Sequence, residues 1–127
     1  MSFSHPLQIL PADIDTMGHV NNVVYVRWVQ DVAAAHWNQI APPEMKNRYL
    51  WVVLRHEIDY KNPALPDDQI SGITWVGEHS GARFDRFVNL FSPISQKMFV
   101  QAKTTWCLLD ANTKRPTRIS PEILKIF

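Results

Sequence analysis

The stretch "DIDTMGHVNN", residues 13 to 22, places two carboxylates, a glycine, a histidine and two asparagines immediately before an apolar run. Such a run opens a helix, and the first turn of a helix presents backbone N–H groups that have no intrahelical acceptor. Those groups, at the positive end of the helix dipole, can hold a developing oxyanion. A carboxylate set just before them can attack a carbonyl or activate a water that does. Aspartate, turn and helix start therefore supply two parts of an acyl-transfer site. The same residues also fit a plain cap: Asn21 or Asn22 as N-cap, worth about 1 kcal/mol, with Gly18 supplying the turn. Both readings stand at this level.

Other chemistries find less support. The chain has no GxSxG elbow and no phosphate-binding GxxxxGK[ST] loop. Its five histidines lack the spacing of a zinc site, so no metal is expected. Cys107 lies in a strand-like run and reads as a small hydrophobe. As the lone cysteine, it excludes an intrachain disulfide and fits a reducing, cytoplasmic setting. A net charge of +1 and scattered lysines and arginines argue against nucleic acid or a membrane surface as partner. The N-terminus has no basic segment before an apolar one, so no signal peptide is expected, and no run is long enough to span a bilayer.

The elements that must carry the decapeptide follow from periodicity. Residues 3–10 alternate loosely, with Pro6 favouring an edge strand. From Asn22 to about Ile40, a narrow stripe of Arg27, Gln30, Asp31, Ala34 and Asn38 faces an apolar arc. The arc comprises Tyr25, Trp28, Val29, Val32, Ala33 and His36, so the helix should be largely surrounded by protein. Arg27 and Asp31 are spaced to pair along it. "APP" at 41–43 ends the helix.

Everything after it reads as strand: 50–60, 69–80, 82–91 and 98–110, with a polar tail beyond. In the first of these, Val52, Leu54, His56 and Ile58 share a face; Gly72 and Gly77 mark bulges in the second. Short loops favour antiparallel neighbours, and one helix can be covered only if the sheet curls around it. With 127 residues and 46% hydrophobic content, the chain reads as one domain, residues 1–127.

The stretch "DIDTMGHVNNVVYVRWVQD" resembles the N-terminal signature of the hotdog-fold acyl-CoA thioesterases of the 4-hydroxybenzoyl-CoA thioesterase type. The similarity continues through "VVLRHEIDYKNPALPDDQI" and "AKTTWCLLDANTKRPTRISPEI". The resemblance implies an α+β hotdog fold, a curved five-stranded antiparallel sheet wrapped around one long helix. It implies hydrolysis of acyl-CoA without metal or redox cofactor. Asp15 would be the catalytic carboxylate, as nucleophile or as general base, and the backbone N–H of Asn22 would polarise the thioester carbonyl. His19 and Asn21 would orient the carboxylate or the thioester, and Tyr25 would line the acyl pocket.

The resemblance also implies sites at the interface of a homodimer, or of a dimer of dimers. Asp13 is read as structural, and His36 and His56 as satisfied core or interface histidines. Trp28, Trp51, Trp75 and Trp106 fill core or interface. Arg83, Arg86, Lys114 and Arg115 read as solvated surface charge, with coenzyme A phosphates as their alternative. Two rival readings are a hotdog hydratase or dehydratase, which needs a histidine–acid pair, and an acyl-thioester binding module without catalysis.

Overall fold

A computed structural model describes all 127 residues. Strand β1 (Phe3–Leu7) and a 3-10 turn (Pro11–Asp13) precede helix α1 (Asn22–Ile40) and a short helix α2 (Pro43–Arg48). Strands β2 (Tyr49–Tyr60), β3 (Ile70–Ser80), β4 (Arg83–Phe91) and β5 (Met98–Asp110) follow, and helix α3 (Pro121–Ile126) closes the chain. The strands form one antiparallel sheet in the order β1-β3-β4-β5-β2, a hotdog fold with α1 in its curve. β1, the strand that carries Pro6, lies at one edge, where a missing donor is tolerated. No helix is long and apolar enough to cross a membrane.

The apolar arc of α1 is what the sheet grips. Val24, Tyr25, Trp28, Val29, Val32, Ala33 and His36 are buried, and the helix packs on β1, β3 and β4. Val88, Leu90, Phe99, Val100 and Ala102 complete this first core. Each large apolar side chain buried there contributes roughly 1.5–3 kcal/mol.

Gly72 is not a bulge; it is where the helix comes closest. A Cβ at this position would collide with Val32 Cγ2 and stand 3.3 Å from Leu90 Cδ2. The register of β3 shifts instead between Val76 and His79, around Gly77. Gly72→Ala should therefore lower stability by about 1–3 kcal/mol through overpacking. Urea unfolding checks this: a lower midpoint at unchanged slope is expected, and an unchanged midpoint would contradict the close approach.

Three segments depart from the sequence reading. Pro42 and Pro43, which end α1, also cap and open α2, since a proline is tolerated in the first helical turn. The polar tail contains α3, capped by the Ser120 hydroxyl, which accepts from the Ile123 N–H. It delivers Ile119 and Ile123 to a second core with Ala41, Met45, Phe84 and Leu108. In β2 the register shifts between Val53 and Arg55. This bulge moves Leu50, Val52 and Leu54 to the face opposite His56 and Ile58, where they are 39–49% exposed.

Buried His36 and half-buried His56 are both hydrogen-bonded. His56 contacts Thr104 Oγ1 through Nδ1 (2.8 Å) and Gln30 Nε2 through Nε2 (3.2 Å). His36 stacks on Phe3 at 4.9 Å and accepts at Nδ1 from Arg86 Nη1 at 3.0 Å, so its proton sits on Nε2. Burial, then the Arg86 charge, lowers the His36 pKa from 6.5 to about 4. Between those values the unfolded chain takes up a proton that the folded chain refuses. Stability should therefore fall as pH drops from 6.5 towards 4, by roughly 3 kcal/mol at most from this residue. His36→Gln keeps an acceptor for Arg86 and should flatten the melting temperature over that window relative to the parent. An identical pH slope in both proteins would remove His36 as the cause.

Candidate active site

The decapeptide folds as a compact turn hung on two aspartates with different tasks. Asp13 is buried: its Oδ2 accepts from the Leu10 N–H (2.9 Å) and its Oδ1 from Arg27 Nη2 (3.1 Å). Its carbonyl accepts from the Asn21 N–H at 2.8 Å. Arg27 thus pairs across the turn with Asp13 rather than along the helix with Asp31. These contacts fasten the turn to α1.

Asp15 sits at the mouth of the turn. Its N–H donates to the His19 carbonyl (2.8 Å), and its carbonyl accepts from the Gly18 N–H (3.1 Å). Gly18 takes φ +77°, a left-handed conformation that glycine adopts without strain. The side chain completes the turn: Oδ1 accepts from the N–H groups of Met17 (2.9 Å) and His19 (3.2 Å). Oδ2 accepts no protein hydrogen bond. One carboxylate oxygen is therefore fixed by the backbone, and the other is free and aimed by that fixation. The His19 imidazole, in contrast, bonds no protein group.

At the helix start Asn21 is the N-cap, its Oδ1 accepting from the Val23 N–H at 3.2 Å. That capping bond occupies the oxygen and leaves only the side-chain NH₂ for a ligand. Asn22 is the first helical residue, and its N–H has no protein acceptor. It is a free donor at the positive end of a 19-residue helix.

One turn further, Tyr25 is buried with its ring edge-on to Trp28 and Tyr60. Its hydroxyl accepts from the Ala64 N–H at 2.8 Å. Burial raises its pKa above the usual 10.0 against the opposing pull of that hydrogen bond, so the phenol stays protonated at neutral pH. Ala64 in turn accepts through its carbonyl from the Val20 N–H at 2.9 Å. This two-bond clasp holds the β2–β3 connection against the helix start.

Asp15, His19, Asn21, Asn22 and Tyr25 all line one cavity of about 440 Å³. Tyr60 at the end of β2 and Lys61, Asn62 and Pro63 of the clasped connection supply the other wall. Sequence reading placed Tyr60 in the strand and residues 61–63 in a loop, and assigned none of them to the site. The signal was present in the alternation that brings Tyr60 onto the face of Ile58. Lys61 belongs to no ion pair, and the Asn62 side chain is spent on the Met98 carbonyl at 2.7 Å. Arg86 is far from a surface phosphate contact, because only 6% of it is exposed. Cys107 is buried in β5.

The cavity thus pairs a free carboxylate oxygen with a free helix-start N–H, the donor and attacker that acyl transfer requires. The family model described as the thioesterase-like superfamily matches residues 9–127. No curated protein sequence matches the chain.

Among solved structures, a predicted thioesterase from Bacillus stearothermophilus is similar at 17% identity and TM-score 0.87, covering 99% of this chain and 94% of that one. A thioesterase from Thermus thermophilus, complexed with coenzyme A and Zn, is similar at 19% identity and TM-score 0.84, covering 97% of this chain and 89% of that one. A 1,4-dihydroxy-2-naphthoyl-CoA thioesterase from Synechocystis is similar at 15% identity and TM-score 0.81, covering 98% and 93%. At such identities the likeness establishes the fold.

Proposed function

Because this chain belongs to the thioesterase-like superfamily, we propose that it hydrolyses an acyl-CoA to the free acid and coenzyme A at the Asp15 cavity. The observation that carries this reading is the pairing of a free Asp15 Oδ2 with a free Asn22 N–H on one cavity wall. The thioester carbonyl oxygen would accept from Asn22. Asp15 Oδ2 would then either attack the carbonyl carbon, expelling coenzyme A as its thiolate and leaving an acyl–Asp15 anhydride that water cleaves to the free acid with its proton passing to the thiolate, or take a proton from a water that attacks the carbonyl and return it to the departing thiolate. In either route the developing oxyanion lies at the helix N-terminus, where a donor of this kind is worth about 2.7–4 kcal/mol in the transition state. His19 and the Asn21 NH₂ would orient the thioester, and Tyr25 would face the acyl group.

The 127 residues would act as one catalytic unit within a homodimer or a dimer of dimers. The edge strand β2, with its exposed Leu50, Val52 and Leu54, supports association. A lone, buried Cys107 suits the cytoplasm. The test is thiol release by the purified protein from short, long, branched and aromatic acyl-CoAs. Saturable release from at least one is expected; release from none would refute the assignment.

A further inference from the structure

A second cavity, of about 490 Å³, opens between α1 and the sheet at the far end of the helix. It shares no lining residue with the Asp15 cavity. Asn22 and Ala34, which face the two cavities, are twelve residues apart, about 18 Å along the helix axis. Its walls are aromatic: Trp37, Trp51, Phe84, Trp106 and Phe127. Such a volume and such walls are those of a small-molecule site, not of a packing defect.

Two features stand out among the polar and charged side chains that share this lining. Arg86 reaches it from β4 with its side chain almost wholly buried. Its guanidinium donates through Nη1 to His36 Nδ1 (3.0 Å) and Thr74 Oγ1 (2.9 Å), both neutral, and it has no carboxylate partner. Nε and Nη2 have no protein acceptor. Burial lowers its pKa only to about 10, so it remains a cation at neutral pH. Trp106 Nε1 is the second feature: a buried donor with no acceptor, on a residue that lines the same cavity.

Buried charges are ordinarily paired, and buried donors ordinarily bonded. Three other charged side chains line the cavity: Asp85 is engaged by Lys103 (3.8 Å) and Thr105 (3.2 Å), Lys46 donates to the Asn38 carbonyl (2.9 Å), and Asp31 forms no ion pair with Arg86. The fork of a guanidinium matches a carboxylate, and the flanking rings match a flat apolar body.

We infer that this cavity is a binding site for a small carboxylic acid with an aromatic body, its carboxylate on Arg86 and its ring among the tryptophans. The site is separate from the Asp15 chemistry and does not depend on the activity proposed for it. An acid held there would neutralise the one buried cation that the protein leaves without an anion.

The test uses the full chain with 2-naphthoate as probe and 2-naphthamide as its neutral isostere. Calorimetry should show the acid binding about tenfold or more tightly than the amide, since a charge-assisted pair is lost with the charge. The Trp106 indole N–H resonance should shift on titration. Arg86→Gln should weaken the acid by about tenfold or more. Ala34→Phe should exclude it; Ala34 is exposed and lines the cavity, so this variant leaves the core intact. Should Arg86→Gln fail to fold, Ala34→Phe decides. Asp15→Asn should bind naphthoate as the parent does. Equal affinity for acid and amide, equal weakening by Asp15→Asn, unchanged binding in Ala34→Phe, or no binding because a side chain of a second copy already fills the cavity would each overturn the inference.

Discussion

Asp15→Asn should lower kcat on a good acyl-CoA by about 10²–10⁴-fold, the usual contribution of a positioned base or nucleophile. The geometry makes this a clean substitution. Asparagine Oδ1 can keep both bonds that Asp15 Oδ1 accepts, from Met17 and His19, so the turn survives. Only the free oxygen is exchanged, for an NH₂ that neither attacks nor accepts a proton. KM and melting temperature should therefore move little while kcat collapses. Steady-state kinetics beside a thermal melt separate the two effects. A variant that keeps the parental kcat would show that Asp15 is not the reacting group.

Asn22→Pro should lower kcat by about 10²–10³-fold, the effect of losing one oxyanion donor. Proline deletes the N–H of Asn22, the first helical residue, and that N–H has no acceptor within the protein, so no structural bond is lost. The first helical position is where proline is best tolerated. Asn21 before it already adopts φ −64°, ψ 139°, the extended conformation that a following proline demands. Folding stability should change by less than about 0.5 kcal/mol. Asn22→Ala removes the side chain but keeps the donor, and should retain most of the activity. Comparing kcat of the two variants isolates the backbone group. Parental turnover in Asn22→Pro would place the carbonyl elsewhere.

The helix and the strand boundaries were legible because their signals are local. The apolar arc from Tyr25 to His36 repeats at helical spacing, and Pro42 and Pro43 stop it. One half of the candidate site was legible for the same reason: Asp15 through Tyr25 lie within eleven residues. What escaped the sequence depends on partners distant along the chain. Trp51 and Val53 are as apolar as Leu50, Val52 and Leu54, so alternation could not show that β2 switches faces at its bulge. Arg27 finds Asp13 only after the turn folds back. The tail looked polar because Ile119 stands alone among polar residues and the apolar end from Ile123 to Phe127 is too short to declare itself, and only tertiary packing reveals Ile119 and Ile123 as core. Arg86 looked like any surface cation until β4 carried it inside.

The Tyr25–Ala64–Val20 clasp has a kinetic meaning. Connections between strands ordinarily open on their own, and their amide hydrogens exchange with solvent almost freely. Here the Ala64 and Val20 hydrogens are both held, one by a buried phenol on α1 and the other by the opposing connection. They can exchange only when the helix and the connection part together. The wall bearing Lys61 and Pro63 is thus a jamb rather than a door. The Ala64 and Val20 amide hydrogens should therefore exchange far more slowly than those of an unclasped connection.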